Sequence, residues 1–373
     1  MARLALDHVS KIYQGRGKAP VTAVNNVDLT VNDGEIVALL GSSGCGKTST
    51  LRMIAGFEDV TSGTIRLGDR PIHGLLPKDR GVAMAFEGYA LYPPLTIRDN
   101  IGFALLRERR PREEVSARVA EIARLLEIED ILDRYPPTIS AGQQQRASLA
   151  RALIRRAEAS LLDEPMSQLE PQLRAILRAR IKDYLIEHRM TTVFVTHDQT
   201  EAIALADRIA VMEQGILQQY AAPTALKEQP ANLFVASFIG EPPMNIVDAR
   251  LTKPTELLAA DPAGRPAFHV PLVAPLARSE ANLKLGIRPH RIVVGDQHGL
   301  PATIVSNQWL GDQAHLALDL RGCFLVAVAH RRIEAPVGGT VQVSLPPSAM
   351  HLFAADSGAA LQHGLAAREA AAA

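Results

Sequence analysis

The sequence predicts an α/β domain built on a mostly parallel sheet, followed by a smaller all-β domain, and three observations carry that prediction. A buried-strand run, Ile36 to Leu40, leads through a glycine-rich loop ending in Lys47-Thr48 straight into a helix-like segment, Ser49 to Gly56. Short apolar runs then alternate with amphipathic helical stripes. Around Glu241-Pro242-Pro243 the stripes give way to short strand-like pieces separated by Gly-, Asp- and Pro-bearing turns.

Taken in order, β-type runs near Leu4 to Leu6 and Val27 to Val31 precede the loop strand. Buried-strand candidates follow at Val82 to Phe86, Thr192 to Thr196 and Ile209 to Met212. Val115, Val119, Ile122 and Leu126 form one apolar stripe, and Leu173, Ile176, Leu177, Ile181 and Leu185 form another. Spacings of three and four residues make each stripe the core face of a helix. Ser140 is placed as the N-cap of a helix running to about Arg156, with Gly142 allowing a close backbone approach. Later strands are expected at Ala314 to Leu320, Phe324 to Ala329 and Thr340 to Leu345, which suits a small barrel. The domain limits read 1–240 and 241–355; residues 356–373 are expected to be a flexible tail, because the Ala-rich end from Gly358 has little to bury.

A chain of 373 residues suggests two or three domains, and 47% hydrophobic content is enough to give them cores. Forty basic and forty acidic side chains cancel. No overall field pulls the chain onto nucleic acid, so membrane association has to come through a protein partner. The run Arg107-Glu108-Arg109-Arg110-Pro111-Arg112 is a solvated face. Two cysteines, Cys45 and Cys323, lie far apart, which implies neither a disulfide framework nor a zinc site and suits a reducing cytosol. No uninterrupted apolar run reaches roughly 18 residues, and Met1-Ala2-Arg3-Leu4 lacks a signal-peptide core. The expectation is a chain that neither spans a membrane nor leaves the cell by itself.

Gly41-Ser42-Ser43-Gly44-Cys45-Gly46-Lys47-Thr48 has the composition and the strand-loop-helix context of a phosphate-binding P-loop. Its glycines let successive N–H groups turn inward, and the positive end of the following helix favours a polyphosphate. Lys47 supplies a point charge to the β and γ phosphates and Thr48 a hydroxyl for Mg²⁺. A P-loop alone leaves kinases, GTPases and transport ATPases equally open. Leu161-Leu162-Asp163-Glu164 is an apolar strand ending in two carboxylates that can divide the labour. Asp163 would order Mg²⁺ through its waters, and Glu164 would take a proton from an attacking water. The helix start at Ser140 can dock another phosphate. His197 ends a strand where a neutral imidazole can touch a γ-phosphate or the water, and Tyr13 offers an aromatic face to an adenine ring.

In this order the segments resemble the nucleotide-binding subunits of ATP-binding-cassette transporters over residues 4 to 355. The resemblance implies an ABC-type P-loop NTPase domain with antiparallel β and helical subdomains, the helical one at about residues 88–158. It implies that Ser140, Ala141, Gly142 and Gln143 reach ATP held on the P-loop of a second ATPase subunit, so that two cassettes close head to tail. Tyr13 would then stack on adenine, and Gly41, Ser42, Ser43, Gly44, Cys45, Gly46, Lys47, Thr48 and Ser49 would cradle the phosphates. Thr48, Asp163 and the residue at Glu87 would hold Mg²⁺, with Glu164 as general base, His197 as switch histidine, and Lys47 and Glu87 at the reacting phosphate. The carbohydrate-importer branch, of the maltose and glycerol-3-phosphate uptake type, is closer still. Ala90-Leu91-Tyr92-Pro93, Thr196-His197-Asp198-Gln199-Thr200-Glu201-Ala202, Gly240 to Asn245 and Gly286-Ile287-Arg288-Pro289 all look like it. That branch implies a regulatory OB-like, TOBE-type β domain and a groove at Glu87–Asn100 that receives a coupling helix from each of two transmembrane permease subunits. It also implies a periplasmic solute-binding protein acting indirectly and a peripheral position on the cytoplasmic face of a bacterial inner membrane. The implied function is ATP hydrolysis that powers import of a sugar, polyol or glycerol phosphate, with a polyamine or inorganic ion as the alternative cargo.

Four residues depart from that pattern. Glu87 stands where the family places a glutamine, Ala141 replaces the first glycine of the signature, Glu170 replaces an aspartate, and Ser160 interrupts the strand ahead of Asp163. A carboxylate at residue 87 keeps an oxygen for the metal but loses an amide donor and adds charge, which is expected to slow hydrolysis. Two readings follow: a homodimeric variant with full activity, or the catalytically weakened half of a heterodimer. Intact Lys47, Thr48, Asp163, Glu164 and His197 favour the first. A soluble cassette acting on ribosomes or DNA lacks support, since the chain has one cassette, no heptads and no basic patch.

Overall fold

The computed structural model describes residues 2–15, 19–272 and 282–365, and the chain divides into two compact units, Met1–Pro223 and Thr224–Ala373. The first contains β1 (Leu4–Tyr13), β2 (Val21–Val31), β3 (Ile36–Gly41), α1 (Lys47–Ala55), β4 (Ser62–Leu67), β5 (Arg70–Pro71) and β6 (Val82–Ala85). Three helices follow, α2 (Ile97–Arg107), α3 (Arg112–Leu125) and α4 (Ala141–Leu153). The unit continues through β7 (Ala159–Asp163), α5 (Pro171–Glu187), β8 (Thr192–Thr196), α6 (Gln199–Leu205), β9 (Arg208–Glu213) and β10 (Ile216–Ala221).

Six strands build the central sheet in the order β10-β9-β3-β8-β7-β6, with every pair parallel except the edge pair β10–β9. Strands β3, β7 and β8 are buried along their whole length. A parallel strand covered on both faces has no polar side, which is why these segments read as continuous apolar runs. A second sheet, β2-β1-β4-β5, is antiparallel. Its strands outrun the apolar runs at Leu4 and Val27 because register shifts between Leu6 and Ile12 let a half-exposed segment keep pairing. Helices α2 to α4 pack on one another through Ile101, Leu105, Val119, Ile122 and Leu149, within the helical stretch expected at residues 88–158.

Two expectations need correction here. Ile176, placed on the core stripe of α5, is 48% exposed, and the buried stripe is Leu177, Ile181, Tyr184 and Leu185. The helix begun at Ser140 ends at Leu153 rather than Arg156.

The second unit opens with two short helices, α7 (Pro223–Glu228) and α8 (Leu233–Phe238), which group with the β domain although the sequence changes character only at Glu241. Arg288 explains this grouping: fully buried, it donates to the carbonyls of Lys227 (3.1 Å), Ala236 (2.9 Å) and Ile239. It thereby ties both helices to the β domain through their otherwise unpaired C-terminal carbonyls. Strands β11 (Asn245–Lys253), β12 (Glu256–Ala260), β13 (Pro266–Pro271), β14 (Leu283–Ile287), β15 (Val293–Val294) and β16 (Leu300–Trp309) follow. They are joined by β17 (Ala314–Leu320), β18 (Cys323–Ala329), β19 (Thr340–Ser344), β20 (Met350–Ala354) and β21 (Ala360–His363). The sheets β13-β12-β11-β14-β20-β21 and β15-β19-β16-β17-β18 enclose one apolar core that includes Leu257, Leu285, Leu316, Leu318 and Leu352.

The flexible tail expected at 356–373 is corrected in its first part. Residues Ala360–His363 pair with β20 and Leu365 is fully buried, so this stretch closes a sheet edge. Residues 366–373 lie outside the described residues.

Candidate functional site

Four parallel strands of the first unit end at one edge of the central sheet, and each delivers a functional group there. β3 ends at Gly41, the start of the glycine-rich loop; β7 ends at Asp163, with Glu164 next; β8 ends at Thr196, with His197 next; β6 ends at Ala85, two residues before Glu87. Ligands of open parallel sheets bind outside the carboxyl ends of the strands, where loops leave for helices on both faces.

The loop is held tightly on its strand side. Gly46 has φ 102°, and a Cβ there would lie 2.3 Å from the Ala23 carbonyl oxygen, so only glycine fits between the loop and β2. Lys47, 7% exposed, donates from Nζ to the carbonyls of Gly41 and Ser42, each at 2.8 Å, which spans its ammonium across the loop. Helix α1 has no side-chain N-cap and no acidic residue in its first turn, which leaves its first N–H groups and positive dipole end for an anion. Burial pushes the Cys45 thiol up, so it stays an unreactive thiol under the loop. Ser42, Ser43 and Gly44 are exposed at the rim, and Ser42 donates to Glu213 at 3.1 Å. Tyr13 lies beside the first turn of α1: its hydroxyl is 3.2 Å from Ser49 Oγ, its ring is 37% exposed, and the Lys11 ammonium sits 4.8 Å from the ring centroid.

Thr48 and Asp163 meet across the loop, the hydroxyl donating to Asp163 Oδ1 at 3.4 Å. Burial pushes the Asp163 carboxyl up to about 6; the negative charge of nearby Glu87 adds to that, and Arg52 offsets part of it. Two carboxylates and a hydroxyl converge with too little positive charge around them. Among the described residues there is no cluster of three or more His, Cys, Asp or Glu side chains. This donor set fits Mg²⁺, a hard cation that takes one or two carboxylates and fills its remaining positions with phosphate oxygens and water.

Glu164 adopts φ 49°, a left-handed conformation uncommon outside glycine. The fold determines it from several sides. The Glu164 N–H donates to the Val195 carbonyl at 3.0 Å, and its own carbonyl accepts from Gln145 Nε2 at 2.8 Å and Ser167 Oγ at 3.2 Å. The outcome is a carboxylate aimed at His197, whose Nδ1 lies 2.8 Å from Oε2. A carboxylate only accepts, so Nδ1 carries the proton of this contact. The Glu164 side chain is 14% exposed and the His197 side chain 68%.

Ser140 caps α4 in a reciprocal box: its Oγ accepts from the Gln143 N–H at 3.3 Å, and Gln143 Oε1 accepts from the Ser140 N–H at 3.0 Å. A Cβ on Gly142 would lie 3.2 Å from the Gln168 carbonyl oxygen, whereas Ala141 is exposed and does not have a positive φ. No hydrogen bond or ion pair among the described residues joins Ser140–Gln143 to Gly41–Thr48. The structure therefore gathers Lys47, Thr48, Asp163, Glu164, His197 and Tyr13 around the loop and the strand ends, and bonds the Ser140–Gln143 turn to none of them.

Sequence reasoning gave no role to two side chains. Gln145, 3% exposed, bonds Glu164 through its amide, and its Oε1 accepts from the Gln168 N–H at 2.9 Å. Glu201, also 3% exposed, accepts from Thr196 Oγ1 at 2.9 Å beneath His197. The signal for both was a polar residue on the buried face of a helix: Gln145 shares a face with Leu149 and Ala152, and Glu201 with Leu205.

The segment Glu87–Asn100 is held by two side chains. Arg151 donates to the carbonyls of Ala90 (2.7 Å) and Tyr89 (3.4 Å), and buried Asn100 bonds Tyr92 at both its N–H (2.7 Å) and its carbonyl (3.1 Å). Tyr89 and Ala90 have φ 60° and 49°, and Tyr92 is 43% exposed against Phe103.

Sheet, loop and carboxylate pair define a P-loop ATPase of the cassette type, with an all-β domain appended. A family model described as ABC transporter matches residues 24–167, and one described as TOBE domain matches residues 285–353. The chain belongs to the ATP-binding proteins of ABC transporters, and its cassette binds ATP. It is 40% identical to the xylose/arabinose import ATP-binding protein XacK of Haloferax volcanii, over 97% of this chain and 96% of that protein. It is 39% identical to the sn-glycerol-3-phosphate import ATP-binding protein UgpC of Yersinia pseudotuberculosis, over 96% and 99%. Against the diacetylchitobiose uptake system ATP-binding protein MsiK of Streptomyces coelicolor, identity is 36% over 96% and 99%. The solved dimeric post-hydrolysis structure of the ATP-binding cassette MJ0796, bound to ADP and Pi, matches with a TM-score of 0.55 at 28% identity, covering 59% of this chain and 98% of that one. Among the described residues no helix is long and apolar enough to cross a membrane.

Proposed function

We propose that this chain is the ATP-hydrolysing subunit of an importer of a carbohydrate-like solute, working as one of a pair beneath two transmembrane permease subunits. The observation that carries the hydrolytic reading is the 2.8 Å contact between Glu164 and His197 at the sheet edge that also holds Lys47. Lys47, the loop N–H groups and the first turn of α1 grip the β and γ phosphates, while Tyr13 stacks on adenine with Ser49 beneath its hydroxyl. Glu164 accepts the proton of the attacking water, and His197, oriented by that carboxylate, presents Nε2 toward the γ-phosphate side. Thr48, Asp163 and Glu87 would hold Mg²⁺, which supplies charge neutralisation to the phosphates when bound.

The outward-facing Ser140–Gln143 turn, with its capping box closed within α4, supports a role on nucleotide held by a second subunit. The strained, exposed segment Glu87–Asn100 supports docking of a permease helix. The names of XacK, UgpC and MsiK support a sugar or glycerol-phosphate cargo; a place on the cytoplasmic face of the membrane, with a solute-binding protein acting outside it, rests on the likeness to the importer branch alone. A second reading, the weakened half of a heterodimer, has one observation in its favour: the charge of Glu87 beside Asp163.

The test is phosphate release by the purified chain with and without Glu164→Gln, followed by ATP-driven sugar uptake in vesicles holding its permeases. Loss of turnover in the variant, together with Mg-ATP-dependent pairing of two chains, supports the reading. Full turnover in the variant, or no pairing even beside the permeases, rejects it.

A further inference from the structure

His197 owes its position to the residues on either side of it. Thr196, fully buried at the end of β8, donates its hydroxyl to Glu201 Oε2 at 2.9 Å, and Thr196 Oγ1 itself accepts the Asp198 N–H at 3.0 Å. Asp198 caps α6, its Oδ1 accepting the Glu201 N–H at 3.0 Å, and its Oδ2 meets Arg174 Nη1 of α5 at 3.3 Å. Glu201 and Thr196 thus close a ring around the turn whose middle residue is His197. We propose that Glu201 is a positioning residue for ATP hydrolysis, holding the Thr196–Asp198 turn so that His197 stays against Glu164.

The inference deepens the hydrolytic reading of Glu164 and His197 and rests on it. A carboxylate in this place needs a reason. Its Oε1 is buried without a hydrogen-bond partner, a cost that an apolar side chain of similar size would avoid. Burial pushes the carboxyl up to about 7, with the charges of Asp198 and Glu164 adding to the shift and the Thr196 hydroxyl and Arg174 opposing it. A group that expensive to bury, bonded to the turn that bears His197, is explained by the geometry it imposes on that turn.

The experiment measures kcat and KM for ATP in Glu201→Ala, Glu201→Gln, Thr196→Val and Thr196→Ser, beside Glu164→Gln and His197→Ala. Glu201→Ala and Thr196→Val are expected to lose about tenfold or more in kcat with KM for ATP changed by less than about twofold, since a displaced catalytic group loses rate rather than binding. Glu201→Gln keeps an acceptor for the hydroxyl and Thr196→Ser keeps the hydroxyl, so both are expected within about threefold of wild type. Combining Glu201→Ala with Thr196→Val should be no slower than Thr196→Val alone, because the valine already breaks the Thr196–Glu201 link together with the bond from the Asp198 N–H. Wild-type kcat in Glu201→Ala, or a multiplicative loss in the double variant, overturns the inference while Glu164→Gln and His197→Ala remain slow. Should Glu201→Ala fail to fold, Thr196→Val and Thr196→Ser decide alone: unequal rates support the inference and equal rates overturn it. Wild-type turnover in Glu164→Gln and His197→Ala would instead reject the hydrolytic reading itself.

Discussion

His197 Nδ1 lies 2.8 Å from one carboxylate oxygen of Glu164 and 3.0 Å from the other, so the imidazole straddles the carboxylate proposed to take the proton of the attacking water. Glu164→Gln preserves the shape of this contact and removes its basicity. The expected outcome is a fall in kcat of about a hundredfold or more with ATP still bound, read by single-turnover phosphate release. His197→Ala should also slow release, since it removes the partner that orients the carboxylate.

Glu87→Gln is expected to move the other way. Its charge is the second contributor, after burial, to the upward shift of Asp163, and in the proposed mechanism it lies beside the hydrolytic water, where an amide would supply a hydrogen-bond donor. An amide removes that charge and supplies the donor, so turnover should rise about threefold or more, with lower Mg²⁺ affinity as the trade. A glutamine variant no faster than wild type would show that Glu87 does not limit the chemistry.

Much of this site was legible because its strands are buried on both faces. Ile36–Gly41, Ala159–Asp163 and Thr192–Thr196 carry no exposed positions, so each reads as an apolar run that ends abruptly in a functional residue. The strands Ser62–Leu67 and Ile216–Ala221 were illegible for the opposite reason: with two buried positions in the first and none in the second, they form only where a neighbour offers hydrogen bonds. Ile176 failed as a core residue because spacing alone cannot say where an apolar stripe stops. The contacts of Leu177, Ile181 and Leu185 turn Ile176 outward. Gln145 and Glu201 were passed over because a polar residue on a buried helix face acquires meaning only when its partners, Glu164 and Thr196, are known.

Gln145 links α4, the helix that Ser140 caps, to the backbone of the general base. Gln145→Ala removes the donor to the Glu164 carbonyl and the acceptor for the Gln168 N–H, two bonds that a 3% exposed side chain makes. A loss of about 1–3 kcal/mol in stability is expected. Turnover should fall further than the melting temperature explains, because the left-handed Glu164 loses one of its restraints. Activity that tracks the folded fraction alone would reduce Gln145 to a structural role.

Ser160 makes the reverse case. It is fully buried in β7, and its hydroxyl has no partner. Ser160→Ala discards the unpaired hydroxyl with almost no change in volume, so a gain of about 1 kcal/mol is expected in urea unfolding, with kcat unchanged. A loss of stability would mean that the hydroxyl is bonded in solution.

The second unit should be the more acid-sensitive part, and His351 is the reason. It is 6% exposed, its Nδ1 lies 3.0 Å from Nδ1 of His363, and burial, then His363 and Arg288, lower it to about 4, with Glu228 opposing and Arg291 adding a little. His363 is lowered too, by burial. The short contact requires one ring to donate and the other to accept, so it cannot survive protonation of both rings. In the unfolded chain each ring takes a proton near pH 6.5, whereas folded His351 resists until about 4. Between those values the unfolded state binds more protons, so stability present above about pH 6.5 is lost as the pH falls toward 4. The only tryptophan, Trp309, lies in β16 of this unit and reports its unfolding by fluorescence. The urea midpoint seen by Trp309 should drop between pH 7.5 and pH 5 by an amount worth on the order of 2 kcal/mol, and His351→Phe should flatten that drop. Parallel curves for the two proteins would remove His351 as the cause.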